Sequence, residues 1–197
     1  NGFESEALRI PRQYSAGGER IPYEVEEWID GNMVCDHERT WSEQGQLSSS
    51  MRDTLIAVFW EFQDITSSLP LEHLFGTDRL QKFFQGAGDL VPPEALHLIQ
   101  INQTFWNGTY PSKWKFATDN LLVDAQKKIV LIDNVNVGAR YFGYDLCWLI
   151  CPRWFEMKTA QFEHIKNHLA YLDTFKQTLK NTAPSHVAVP KDMDKAF

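Results

Sequence analysis

The sequence predicts an α+β fold that is mainly helical and carries one small β-hairpin. Apolar residues recur at helical spacing in "MRDTLIAVFWEFQDI" (51–65) and in "MKTAQFEHIKNHLAYLDTFKQTL" (157–179). Between them, "NLLVD" and "IVLID" are short apolar runs separated by polar "AQKK", the pattern of strand, turn and strand. No regular β-α-β alternation runs through the chain, so a doubly wound parallel sheet is not predicted.

Taken in order, residues 1–20 are mixed and polar. "IPYEVEEWIDGNMV" then predicts a short strand ending at the turn Asp30-Gly31. Residues 36–49 read as a loop, and Ser48 to Ser50 with Asp53 read as the start of the helix at 51–65. Leu55, Ile56, Val58, Phe59 and Phe62 form its apolar face. "TDRLQKFFQGAG" (77–88) predicts a second helix, opening at Thr77 and stopping at Gly86 and Gly88. "VPPEALHLIQINQTFW" (91–106) predicts a third, with Pro93 in its first turn. The hairpin follows at 120–133. After it, "GYDLCWLI" starts a buried helix, and Phe162, Ile165, Leu169, Leu172, Phe175 and Leu179 are expected to fill one face of the long last helix. Residues 184–197, with Pro184 and Pro190, read as a tail.

The 197 residues are 43% apolar and 13% aromatic, enough for one sizeable core. Thirteen Phe and seven Trp exclude a disordered chain. A net charge of -7 argues against nucleic acid as a partner. No run of about 18 apolar residues is present, so no membrane partner is expected. Cys35, Cys147 and Cys151 offer neither a disulfide framework nor a paired zinc spacing, which favours a cytoplasmic setting. The N-x-[ST] triplets at Asn102 and Asn107 are read as coincidence. The start at Asn1 rather than Met suggests a piece of a longer protein.

"KWKFATDNLLVDAQKKIVLID" (113–133) resembles the catalytic loop and following hairpin of the protein-kinase-like superfamily, in which H-R-D-x-x-x-x-N precedes a strand pair ending in the Asp of D-F-G. "YFGYDLCWLI" is similar to the P-x-Y-D-L-A segment of the aminoglycoside phosphotransferase and choline kinase branch. "YEVEEWIDG" resembles the strand and hinge that hold adenine. The resemblance spans most of residues 20–180. It implies a C-terminal kinase-like lobe with a remnant hinge strand, divided as 1–35 (remnant N-terminal lobe and hinge), 36–183 (helical lobe with hairpin 120–133) and 184–197 (tail).

The same resemblance implies ATP and Mg2+ as cofactors and a small-molecule alcohol as acceptor. Asn120 and Asp133 would hold the metal, the oxygen chemistry that magnesium takes. The strands are antiparallel and the turn is short, so the outer ends should lie close together. Backbone groups of Glu27 and Ile29 would meet the nucleotide, and Asp145 would anchor the loop. Two departures stand out. Lys115 occupies the position of the family's catalytic Asp, and Lys113 that of the preceding His. An ammonium cannot replace a carboxylate base, whose assistance is worth about 10²- to 10⁴-fold in rate. Lys115 is read as neutralising a phosphate or as solvated, Lys113 as part of a solvated basic loop, and Asp119 as the candidate substitute base. The chain also has no G-x-G-x-x-G, and no phosphate-pairing Lys is evident before the hinge. Two functions are therefore expected: a small-molecule phosphotransferase, possibly truncated or degraded in catalysis, or a pseudokinase-like binding or scaffolding module.

Other candidates have plainer readings. His164 and His168 stand at i and i+4 without the Glu of H-E-x-x-H and read as an exposed polar face. Cys147 and Cys151 read as small buried hydrophobes, and Trp148, Trp154 and Phe155 as core. Glu156 and Glu163 give no decisive pattern for the acceptor.

Overall fold

The computed structural model of the chain describes residues 2–19, 21, 23–37, 46–69, 86, 92–94, 97, 110–113, 116–133, 137–150, 162–187 and 189–190, with only the backbone course at 148, 150 and 162–168. The fold is mixed α+β. In chain order the described elements are β1 (Phe3–Glu4), β2 (Leu8–Ile10), β3 (Gln13–Gly17), β4 (Tyr23–Glu26), β5 (Gly31–Met33), α1 (Val34–His37), α2 (Ser49–Thr66), β6 (Tyr110–Ser112), β7 (Leu121–Asp124), β8 (Ile129–Leu131), β9 (Gly138–Arg140), α3 (Tyr144–Ile150) and α4 (Phe162–Thr182). The helices expected at 77–88 and 91–106 lie largely outside the described residues.

Local chemistry explains the elements that the sequence predicts. Ser48 caps α2, its Oγ accepting the Met51 amide at 3.2 Å. Leu55, Ile56, Val58, Phe59 and Phe62 are all buried on that helix, as their spacing requires. The hairpin pairs Leu121 with Leu131, Leu122 with Val130 and Val123 with Ile129. Its turn is closed by Asp124, whose Oδ1 accepts the amides of Gln126 and Lys128, both at 2.9 Å. Lys127 takes the left-handed conformation there, with φ 64°.

The sheet extends beyond this hairpin. Its order is β1-β2-β8-β7-β5, with β2 parallel to β8 and the other neighbours antiparallel. Residues 1–20, read from the sequence only as mixed and polar, supply three strands, and Leu8 is fully buried. Gly31 opens β5 rather than closing a turn. A Cβ at that position would lie 2.8 Å from the Val123 carbonyl oxygen, so glycine permits the close pairing of β5 with β7. Strands β1, β2 and β5 therefore share one sheet with the hairpin, while β3 and β4 pair in a two-stranded sheet of their own.

The core lies where this sheet meets α2, α3 and α4. Phe59 packs edge-to-face on Trp60, Phe116 and Phe142, with centroids 5.1, 6.2 and 6.1 Å apart. Helix α4 contributes Tyr171, Phe175 and Leu179. Leu169, expected on that face, is 56% exposed. At about 100° per residue it sits roughly 120° around the helix from Phe175, whereas Tyr171 and Leu179 are each within about 40°. Within the segment read as a tail, Val187 and Val189 are partly buried against the core. Cys147 is half-buried, while Cys151, Trp154, Phe155 and Glu156, and the side chains of Trp148, Glu163, His164 and His168, lie outside what is described.

Candidate functional site

The site forms at the open end of the hairpin, opposite its turn. Strand β6 leads into it and is held by β9, with Tyr110 opposite Arg140 and Ser112 opposite Gly138. Just past β6 the chain is pinned from below by Asp145, in the first turn of α3. Ser112 Oγ donates to Asp145 Oδ1 at 2.8 Å, and the Lys113 amide donates to Oδ2 at 2.7 Å. Arg140 Nη1 donates to Ser112 Oγ at 2.9 Å, and its guanidinium lies 5.2 Å from the Tyr144 ring centroid. Asp145, Arg140 and Lys113 are all buried. Burial pushes the Asp145 carboxyl up, opposed by the Lys113 amide, the Ser112 hydroxyl and the charges of Arg140 and Lys113. This is the loop-anchoring place that the resemblance implies for Asp145.

From there the backbone turns at 117–120, where the Asn120 amide donates to the Ala117 carbonyl at 2.8 Å. The Thr118 carbonyl accepts the Cys35 amide at 3.3 Å, tying the turn to α1. Asp119 is half-buried within this turn. Asn120 then enters β7, and its carbonyl accepts the Ile132 amide at 3.2 Å across the hairpin. That pairing brings the two strand mouths together: Asn120 Nδ2 donates to Asp133 Oδ2 at 3.3 Å.

Asp133 has φ 58°, in the left-handed region. Non-glycine residues are uncommon there, and Asp is one of the few that enter it at modest cost. Such residues concentrate at functional sites, because the surroundings must hold them in place. Here Lys113 reaches Asp133. Its Nζ donates to the Asp133 main-chain carbonyl at 3.3 Å, and the residue is 0% exposed. The expectation of a solvated Lys113 is therefore corrected. Nothing local in the sequence marks Lys113 as buried; the fold packed over it decides that. Lys115 itself lies outside the described residues.

The expected nucleotide contacts are only partly available. The Glu27 amide donates to the Arg12 carbonyl at 2.8 Å and is already committed inside the protein. The Glu27 carboxylate is also engaged, by the Arg12 amide at 3.2 Å and Arg9 Nη2 at 2.8 Å, which hold it below the usual carboxylate range. Ile29 is buried. What sequence reasoning missed is the proximity of Glu26, at the end of β4, to Asp133 and Lys113. Burial, Glu24 and the charge of Asp133 raise the Glu26 carboxyl, and Lys113 opposes them. One Glu among several in "YEVEEW" carries no local signal of that proximity.

Among the described residues, no group of three or more His, Cys, Asp or Glu side chains could hold a metal ion. No described helix is long and apolar enough to cross a membrane. No known family model matches the chain, and a search of curated proteins likewise finds no match.

Proposed function

We propose that this chain is a kinase-like domain of a small-molecule phosphotransferase, transferring the γ-phosphate of ATP to an alcohol in the cytoplasm. The observation that carries the reading is the 3.3 Å contact between Asn120 and Asp133 at one hairpin mouth, with Asp133 in the left-handed conformation. The pair fits a magnesium ion chemically. One Asn120–Asp133 hydrogen bond uses Nδ2 and one carboxylate oxygen, leaving the Asn120 amide oxygen and the second Asp133 oxygen as hard oxygen donors. Mg2+ bound there would neutralise phosphate charge during transfer.

The protein's own part is to hold these two side chains in register. The Ile132–Asn120 bond sets the strand ends, Asp145 fixes the approach of the loop, and Lys113 fixes the Asp133 carbonyl. Asp119 is the proposed base toward the acceptor hydroxyl, and Lys115 the proposed phosphate-neutralising cation. The backbone carbonyl of Glu27 and the backbone of Ile29 are the proposed nucleotide contacts.

A second reading, a pseudokinase-like module that binds without transfer, is favoured by the lysine at 115 and by the committed Glu27 amide. Thermal-shift titration with ATP and Mg2+ tests both. A ligand at a hundred times its dissociation constant stabilises by about 2.7 kcal/mol. Asp133→Asn is the control, because Asn tolerates the left-handed conformation while removing the charge. A Mg2+-dependent shift that the variant loses is the expected result. No shift, or one that survives in the variant, overturns the cation site. Binding without phosphate transfer to a panel of amino alcohols selects the second reading.

A further inference from the structure

We infer that Lys113 is a positioning residue, which holds Asp133 in its cation-binding conformation and ties that conformation to the buried anchor at Asp145. The inference rests on the reading of Asn120 and Asp133 as cation ligands. A lysine is almost never fully buried unless its charge is compensated, because desolvation of an ammonium is costly. Lys113 is 0% exposed, and its ammonium is directed at a main-chain carbonyl, that of Asp133, 20 residues away. That carbonyl belongs to a residue with φ 58°. A main-chain hydrogen bond at the strained residue is the kind of restraint that selects one backbone conformation over its alternatives.

The same lysine is fixed at its other end. Its amide donates to Asp145 Oδ2 at 2.7 Å, so backbone and side chain bridge helix α3 and the hairpin mouth. Its charge is also felt by Glu26 and Asp145. An ammonium at this place therefore does two things that a neutral donor cannot do together. It orients the Asp133 carbonyl, and its positive charge opposes the repulsion between the Glu26 and Asp133 carboxylates. Residues acting behind a metal ligand in this way typically change metal affinity by about 10- to 100-fold when removed.

The test compares Lys113→Met, which removes donor and charge at similar length, with Lys113→Arg, which keeps both. Two readouts are taken on the full chain. The first is the three-bond amide-to-α-proton coupling at Asp133 by NMR, without any cation, which reports its backbone conformation. The second is Mn2+ affinity in the presence of ATP, from the electron paramagnetic resonance signal of free Mn2+. The expected result is a changed Asp133 coupling and an affinity about 10- to 100-fold weaker in Lys113→Met, with both restored in Lys113→Arg. If Lys113→Met does not fold, Lys113→Gln, with its neutral donor, carries the comparison and is expected to lose affinity while Lys113→Arg retains it. Unchanged coupling and affinity in a folded Lys113→Met or Lys113→Gln overturn the inference. Mn2+ affinity that survives Asp133→Asn overturns the underlying cation site instead, and the cation-free coupling keeps the two failures apart.

Discussion

Replacing Asp145 by Ala removes the acceptor shared by Ser112 Oγ and the Lys113 amide, at 2.8 and 2.7 Å. The site is buried, so water cannot easily replace the lost carboxylate. Arg140 and Lys113, both 0% exposed, also lose a neighbouring negative charge. Removing one member of a buried charged set costs about 3–5 kcal/mol. That is a large share of a domain stability of about 5–15 kcal/mol. For a chain of 197 residues each kcal/mol moves Tm by about 2–4 °C, so the expected fall is about 6–20 °C. Thermal unfolding followed by circular dichroism measures it, and urea unfolding at constant slope confirms that stability alone has changed. Asp145→Asn should lose less, because its oxygen still accepts the Lys113 amide while its NH2 donates to Ser112 Oγ. A loss for Asp145→Ala no larger than about 0.5 kcal/mol, the range of an ordinary surface change, refutes the anchoring role.

Phe59→Ala should cost about 3–5 kcal/mol by urea unfolding, because three aromatic rings close around that side chain. Glu27→Gln tests whether the Glu27 carboxylate is structural. Its bonds to the Arg12 amide and Arg9 lower its pKa in the folded state, so the stability it adds is full above its ordinary value near 4.5 and is lost as pH falls through the lower folded value. Urea midpoints should therefore favour the wild type at pH 7, with the gap closing toward pH 3. A gap independent of pH would mean that the carboxylate charge is not what Arg9 and Arg12 hold.

Some of this fold is legible because its cause is local. Ser48 followed by an apolar stripe specifies where α2 begins and which face it buries, since capping and periodicity act within a few residues. Two apolar runs around "AQKK" likewise specify a hairpin, and hence that Asn120 and Asp133 lie near one another. Leu169 shows the limit of the same reasoning. Spacings of three and four admit a broad stripe, and only the packing of α4 decides that Tyr171 rather than Leu169 lies within the buried part.

By itself, then, the sequence determined the capped helix, the hairpin and the meeting of its two polar ends, because each depends on neighbours close along the chain. The tertiary structure alone decided that Leu8 and Arg9 pair with Ile129 and Val130 more than a hundred residues later, joining the first strands to the hairpin's sheet. It also decided that Lys113 is a buried strut under Asp133, and that the Glu27 amide already has its partner in Arg12. Burial and long-range pairing depend on which distant segment arrives, and a lysine in a short polar loop has the same local sequence whether water or a carbonyl meets its ammonium.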